Sequence, residues 1–249
     1  MAPGHLSTFR SESSGTVDFP DGKSIILRRT PSAKEEQALT SSVATGTERQ
    51  EDGRARILSS ALEVFSTAGF EGASLRRIAE RAGVMHQLVV YHFKTKDALW
   101  RAVITSILGD NIEQFTAWRK RLKADSPSQA LRTMVRQFVL FTARRPEFHR
   151  IATFEGRADN ARIRWLLETY VRPYFEFSTG LIREAQAVGA ARPGDPGQLH
   201  YAVIGLVTTS FIFAHEYRAM TGLEPFDPLE IEKVAELAWD FLAVREPAR

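Results

Sequence analysis

The sequence predicts an all-α protein in which a small N-terminal three-helix domain precedes a larger C-terminal helical domain. Apolar residues recur at the three- and four-residue spacing of amphipathic helices through most of the chain after residue 50. Capping residues followed by proline open several of these segments, at Ser126-Pro127, Asp195-Pro196 and Asp227-Pro228. With 249 residues and 43% apolar content, the chain is long enough for two helical domains.

The clearest local signal is a helix-turn-helix motif over residues 74–93. Ser74 is a suitable N-cap for the first helix, whose apolar residues follow the i, i+3, i+4, i+7 pattern. Gly83 suits the left-handed backbone at a helix C-terminus, so the chain can reverse within a few residues. The second helix directs Leu88, Val89 and Phe93 toward the core. Its other face is therefore expected to point outward.

That outward face has side chains suited to DNA. Amide, imidazole, phenol and apolar groups can contact base edges and thymine methyls, and a Gln87 amide can pair with adenine. The surrounding basic residues suit phosphates, and Lys96 is expected to meet a phosphate together with the first turn of the next helix. The predicted DNA-binding residues are Ser74, Arg76, Arg77, Met85, His86, Gln87, Val90, Tyr91, His92, Lys94 and Lys96.

The motif by itself also fits an ordinary helical hairpin with a solvated basic face, but its flanks favour DNA binding. RILSSALEVFSTAGF precedes SLRRIAERAGV, and YHFKTKDAL follows it. In order and spacing these segments resemble the TetR family of transcriptional regulators. Met85 stands where the family usually has a capping Ser or Thr, and Gln87 where a small residue is usual. These departures affect which bases are contacted.

Three regions are predicted along the chain. Residues 1–50 are expected to be a disordered tail, because Ser, Thr, Gly and Pro dominate there and no apolar periodicity lasts. A short hairpin over residues 17–29, with Asp21-Gly22 as its turn, is the alternative for part of this tail. Residues 51–111 form the helix-turn-helix DNA-binding domain, and residues 112–249 form a helical ligand-binding and dimerisation domain.

In the C-terminal region, Pro173 predicts a kink or break near Arg172. The last two helices, over residues 195–220 and 227–244, are expected to hold a homodimer, because their apolar faces exceed what one small domain can cover. The resemblance implies the same pairing, as a four-helix bundle. The predicted interface residues are Val203, Val207, Phe211, Val234, Ala238 and Phe241.

Aromatic residues from several helices are candidates for the wall of a ligand cavity. Such a cavity needs apolar walls with a few polar groups, and the family resemblance implies a small-molecule inducer. A plain aromatic core is the alternative for any single residue. The predicted ligand-binding residues are Phe138, Phe141, His149, Phe154, Trp165, Tyr170, Tyr201 and His215.

Enzymatic activity is not expected. The chain has no cysteine, which excludes thiolate nucleophiles and thiolate metal ligands and fits a reducing cytoplasm. No phosphate-binding G-x-x-x-x-G-K loop occurs, and no metal or other cofactor is predicted. The apolar run over residues 199–214 is shorter than the roughly 20 residues of a membrane span.

The sequence therefore predicts a cytoplasmic transcriptional regulator, a repressor that binds a near-palindromic operator in double-stranded DNA and is released by an inducer. The alternative is an architectural or division-linked DNA-binding factor controlled by a protein partner.

Overall fold

The computed structural model describes residues 15–18, 24–27, 46–122, 125–157 and 159–244. In the first of its two compact units, over residues 1–45, strand β1 (Gly15–Asp18) pairs antiparallel with β2 (Ser24–Leu27). This confirms the hairpin alternative. The Asp21-Gly22 turn lies outside the described residues, and disorder in the rest of residues 1–45 stays a prediction.

The second unit, over residues 46–249, is helical. Its first helix begins four residues before the predicted end of the tail, so residues 46–50 are helical and not part of a disordered segment. The helices are α1 (Gly46–Gly72), α2 (Leu75–Ala82), α3 (His86–Phe93), α4 (Lys96–Leu122), α5 (Pro127–Arg144), α6 (Pro146–Glu155), α7 (Ala161–Leu166), α8 (Arg172–Ala187), α9 (Pro196–Ile212), α10 (Ala214–Thr221) and α11 (Pro228–Leu242).

The predicted caps begin these helices. The Ser126 hydroxyl accepts the backbone N–H of Gln129, and the Gln129 side chain accepts the Ser126 N–H, which completes a capping box at α5. The Asp195 carboxylate accepts the Gln198 N–H at α9, and Asp227 caps α11 in a similar way. Proline follows each of these caps, where its missing N–H is not needed.

Three interruptions shape the helical unit. Gly69 has φ 66° and ψ 179°, so it breaks α1 shortly before its end. A π-helical turn over Leu167–Val171 joins α7 to α8 just before Pro173, so the interruption near Arg172 is a change of helical period and the chain does not leave the helix there. The helix predicted over residues 195–220 is interrupted at Phe213, where α9 and α10 meet at a bend of 78°.

The first hydrophobic core unites the helix-turn-helix with α6 and α7. It contains Phe65 from α1, Val89 and Phe93 from α3, and Trp100 from α4. Ile151, Ile163 and Leu166 of α6 and α7 belong to the same core. The first core therefore contains buried residues from both sides of the domain boundary predicted between residues 111 and 112.

The second core lies among α5, α8, α9 and α11. Val203, Val207, Phe211 and Ala238 are buried in it, and Val234 and Phe241 are partly buried against it. All six were predicted for a subunit interface; burial inside the subunit removes Val203, Val207, Phe211 and Ala238 from that set, whereas Val234 and Phe241 stay a prediction. Helix α9 is apolar nearly all round, and its periodicity could not show which face packs inside the subunit.

Within the described ranges, no single helix is long and apolar enough to cross a membrane. Helices α9 and α10 reach that length and hydropathy only as a bent pair.

Because Phe211 is buried in the second core, truncating its side chain should destabilise the protein. Phe211 is fully buried, whereas Met220 on α10 is 76% exposed. Phe211→Ala should lower the free energy of unfolding by about 3–5 kcal/mol, and the matched change Met220→Ala should alter it by less than about 0.5 kcal/mol. Urea unfolding followed by circular dichroism measures both, and equal effects would contradict the described packing.

Candidate nucleic-acid interface and ligand cavity

The helix-turn-helix has the backbone geometry that the sequence predicts. The Ser74 hydroxyl accepts the Arg77 N–H at 3.2 Å. Gly83 adopts the left-handed conformation, with φ 63° and ψ 37°, at the C-terminus of α2. The Val84 N–H then donates to the Ala79 carbonyl at 3.0 Å, which closes the turn before α3.

Helix α3 is held by its buried face. Val89 is fully buried, and Phe93 is nearly so. Gly53 of α1 lets α3 approach closely, since a Cβ atom at Gly53 would lie 3.2 Å from a Leu88 methyl. The Arg54 guanidinium lies 5.5 Å from the centroid of the Phe93 ring.

The opposite face of α3 is open to solvent, as predicted. Met85 and Tyr91 are 76% and 59% exposed, and His86, Gln87 and Val90 are exposed as well. His92 differs, because it is only partly exposed and its Nε2 atom is buried without a hydrogen-bond partner among the described residues. Met85 offers no side-chain cap to α3, so the first N–H groups of that helix receive no side-chain acceptor there.

Basic side chains around α3 are engaged to different extents. The Arg76 side chain is highly exposed and pairs with Glu80 at 3.2 Å on the same helix. Arg81 forms an ion pair with Glu63 of α1. Lys94 ends α3 with a positive φ of 63°, and its ammonium lies 5.4 Å from the centroid of the Tyr91 ring.

Lys96 is placed differently from its prediction. Its ammonium donates to the carbonyls of Phe70 at 2.9 Å and Ala73 at 3.0 Å, and it lies 4.2 Å from the centroid of the Phe70 ring. Lys96 therefore binds the C-terminal end of α1, a contact that was not expected, and its phosphate contact stays a prediction. These contacts could not be predicted from residue types, because both acceptors are backbone carbonyls.

In the C-terminal region, aromatic and imidazole rings form a continuous row across α6, α5, α8 and α9. The Phe138 ring centroid lies 5.7 Å from that of His149 and 5.9 Å from that of Tyr174. The Tyr174 centroid in turn lies 5.9 Å from that of His200. Burial lowers the pKa of both histidines to about 4, so both are neutral at pH 7.

One tautomer of each histidine satisfies all of the hydroxyl contacts around it. The Thr142 hydroxyl donates to the Phe138 carbonyl at 2.9 Å, so it accepts from Nε2 of His149 at 3.1 Å. The Ser178 hydroxyl donates to the Phe175 carbonyl at 3.0 Å and accepts from Nδ1 of His200 at 2.7 Å. In each ring the other nitrogen is left as an acceptor.

A small cavity lies beside this row. Its volume of about 10 Å³ is roughly the space that one water molecule needs. It is lined by Met134, Phe138, Tyr174, Ile182, His200, Val203, Ile204 and Leu242. The cavity is too small for an organic ligand unless these side chains move.

Two family models match the chain. One, described as bacterial regulatory proteins of the tetR family, matches residues 57–103 and contains the helix-turn-helix. The other, described as a tetracyclin repressor-like C-terminal domain, matches residues 127–242, from the first residue of α5 to the last of α11. The chain belongs to the TetR family. It is a DNA-binding transcriptional regulator.

Relatives of this TetR-family regulator include two curated proteins. The HTH-type transcriptional regulator RutR of Escherichia coli strain K12 is 28% identical over 180 residues, which are 72% of this chain and 84% of RutR. The HTH-type transcriptional repressor NicS of Pseudomonas putida is 34% identical over 114 residues, 45% of this chain and 53% of NicS. The crystal structure of AibR in complex with isovaleryl coenzyme A and operator DNA shares the fold, with a TM-score of 0.58, 19% identity, and coverage of 77% of this chain and 98% of that one.

The structure brings together only part of the ligand-binding set predicted for this TetR-family chain. Phe138, Phe141 and His149 meet between α5 and α6. The other members lie elsewhere: Trp165 and Tyr170 pack against the first core, while Phe154, Tyr201 and His215 are exposed.

Sequence reasoning missed Tyr174, Ser178 and His200 as part of the row of rings and its hydrogen bonds. A tyrosine and a serine four residues apart share one face of a helix, and this polar pair on α8 was the available signal. Nothing in the sequence placed His200 of α9 against it.

The two buried histidines predict acid sensitivity. An unfolded histidine has a pKa near 6.5, so between about pH 6.5 and pH 4 the unfolded chain binds more protons than the folded one, and the free energy of unfolding falls as pH is lowered. The loss should be about 2 kcal/mol per histidine. Urea unfolding at pH 7 and pH 4.5 measures it.

His149→Gln should remove its share of this pH dependence, whereas His215→Gln, at an exposed position, should leave it unchanged. If both variants kept the full acid loss, the buried His149 would not be its source.

Proposed function

We propose that this TetR-family chain is a homodimeric repressor that binds a near-palindromic operator in the bacterial cytoplasm and is released by a small-molecule inducer. The packing of helix α3 supports the DNA-binding part of this proposal. Helix α3 buries Val89 and Phe93 in the first core and exposes a continuous face with Gln87 and Tyr91. A helix held rigidly on one side and open on the other can lie in a major groove.

Exposed side chains define the proposed base and phosphate contacts. His86, Gln87, Val90 and Tyr91 are proposed to reach base edges, because they share the open face of α3. Arg76, Arg77 and Lys94 are proposed to contact phosphates, which position a protein without selecting sequence.

The proposed dimer uses the outward faces of α9 and α11. Large apolar side chains remain exposed there, among them Tyr201 of α9 at 61% and Leu237 of α11 at 58%, and Phe213 at the C-terminal end of α9 is 56% exposed. Contiguous exposed apolar surface usually marks an association site. In this arrangement the two recognition helices would enter successive major grooves about 34–36 Å apart.

The proposed inducer site is the cavity beside Phe138, Tyr174 and His200, enlarged by side-chain movement. Its walls are apolar, and His200 presents a neutral imidazole with an acceptor nitrogen. We therefore propose a ligand with an apolar body and one hydrogen-bond donor. His149 connects this row to α6, whose Ile151 belongs to the core of the DNA-binding helices, so ligand entry can bias their position.

The small volume of the cavity supports the second candidate, a regulator controlled by a protein partner. A screen for compounds that release operator DNA from the purified protein separates the two. Release of the DNA by a small molecule alone supports an inducer. In that case Val203→Phe, which fills the cavity, should weaken the release by that molecule.

Selection of bound sequences from a random DNA pool tests the central proposal. The expected product is a two-fold symmetric motif with two half-sites. Binding with no sequence enrichment would contradict a sequence-specific regulator.

The selected operator makes a test of base reading possible. Gln87→Ala should cost about 1–3 kcal/mol of binding free energy on that operator and relax the preference at one base pair in each half-site. Lys94→Gln is the matched control for phosphate contact, and it should weaken binding to operator and scrambled DNA alike while lowering the salt slope by about one unit. Salt titrations of binding measure both effects. Equal losses on the two DNAs for Gln87→Ala would show that Gln87 does not read bases.

The dimer surface makes a separate prediction. Leu237→Arg places a charge in the proposed interface, where it has no partner, and should convert the dimer to a folded monomer. Leu223→Arg, in the segment between α10 and α11, is the matched control and should remain dimeric. Sedimentation velocity at micromolar concentration distinguishes the two species. A dimer in both variants would exclude this face as the interface.

A further inference from the structure

Two cations from different parts of the chain lie over the ring of Phe70. Phe70 is in the last turn of α1, just after the break at Gly69. The Arg162 guanidinium carbon lies 3.5 Å from the ring centroid, and the Lys96 ammonium nitrogen lies 4.2 Å from it. Arg162 belongs to α7, whereas Lys96 opens α4 three residues after the recognition helix α3 ends. Phe70 therefore joins the C-terminal region to the end of the helix-turn-helix.

Arg162 is fixed from the C-terminal side. Its Nε donates to the Glu155 carboxylate at 3.2 Å, and the Glu155 and Arg162 side chains are only 4% and 16% exposed. A terminal nitrogen of Arg162 also reaches Glu71 of α1 at 3.4 Å. A planar guanidinium can hold a carboxylate with its edge and an aromatic ring with its face. Arg162 thus links the end of α6 to the end of α1.

Lys96 completes the connection on the DNA-binding side. By donating to the carbonyls of Phe70 and Ala73, it ties both residues to the first turn of α4. Helix α3 ends at Phe93, and only Lys94 and Thr95 separate it from α4. A displacement of Phe70 is therefore passed to the recognition helix through a short segment of chain.

We infer that Arg162 is a positioning residue for operator binding, which acts through Phe70 and Lys96 to set the angle of the recognition helix on the C-terminal region. The inference rests on the proposed dimer. When two subunits are joined through their C-terminal regions, this angle fixes the distance between the two recognition helices. It therefore fixes which separation of half-sites the protein prefers.

A structural role for Arg162 alone would have a different consequence. The first core already holds α1, α4, α6 and α7 together through buried apolar residues. If the ion pair only added stability, its loss would weaken binding to every operator by the same factor. A positioning role instead changes the relative affinities for operators that differ only in half-site spacing.

The test uses the full chain and the operator selected from random DNA, with one base pair inserted between its half-sites or deleted there. The double change Arg162→Gln with Glu155→Gln removes the pair without leaving a buried carboxylate unpaired. The matched control is Arg164→Gln with Asp159→Asn, which removes a neighbouring exposed pair joined at 2.6 Å. Binding affinity on the three operators is the readout, with thermal melting alongside it.

We expect the wild type and the control to share one preferred spacing, and the Arg162 variant to lose about fivefold or more of that preference. Its sequence preference within each half-site should be unchanged. Phe70→Leu, which keeps both cations and removes the aromatic ring that they both contact, should have the same effect, and it tests the inference if the double variant does not fold.

A spacing preference kept within about twofold of wild type in the folded variants would overturn the role of Arg162, while the operator itself would still support the proposed function. If the wild type selected no two-part operator, the proposed function would fail first, and the inference with it.

Discussion

The burial of Val89 and Phe93 is the constraint on which the rest of the structure depends. Helix α3 has eight residues and no side-chain N-cap, and a helix this short is not stable by itself in water. It keeps its shape because the first core receives its apolar face. Gly53 lets α1 approach Leu88, and Trp100 of α4 is buried in the same core. The exposed face is thus ordered by contacts that lie entirely on the other side of the helix.

The same core ties DNA binding to the C-terminal region. Ile151 of α6 and Leu166 of α7 are buried with the helix-turn-helix residues, while His149 of α6 contacts Phe138 of α5. Helix α6 therefore has one face toward the DNA-binding helices and one toward the aromatic row. A change in the row can reach the recognition helix without any contact between ligand and DNA, provided that the ligand binds one arrangement more tightly.

Local chemistry made much of this fold predictable from sequence. Ser74, Gly83 and the Ser126-Gln129 box each act through neighbours within a few residues, so their roles are visible in the sequence itself. The outward face of α3 was predictable for the same reason, because its helical period separates buried from exposed positions. Pro173 likewise predicts an interruption of the α-helix, which the structure shows as a π-helical turn before α8.

The remaining features depend on contacts between distant segments. Phe211 lies in a helix that is apolar nearly all round, and only the packed structure shows that it faces inward. Lys96 binds backbone carbonyls of α1, which have no sequence signature. The row of aromatic and imidazole rings includes His200 of α9, whose hydrogen bond to Ser178 of α8 joins two helices. The role of each of these residues depends on which distant residues it contacts, and its residue type alone does not reveal them.

The most direct test of operator recognition is methylation interference on the selected DNA. Dimethyl sulfate modifies guanine N7 in the major groove and adenine N3 in the minor groove, so the pattern reports which groove α3 occupies. The expected result is interference at guanine N7 in two patches about 10 base pairs apart, one for each subunit. Interference confined to adenine N3, or to a single patch, would contradict two recognition helices lying in successive major grooves.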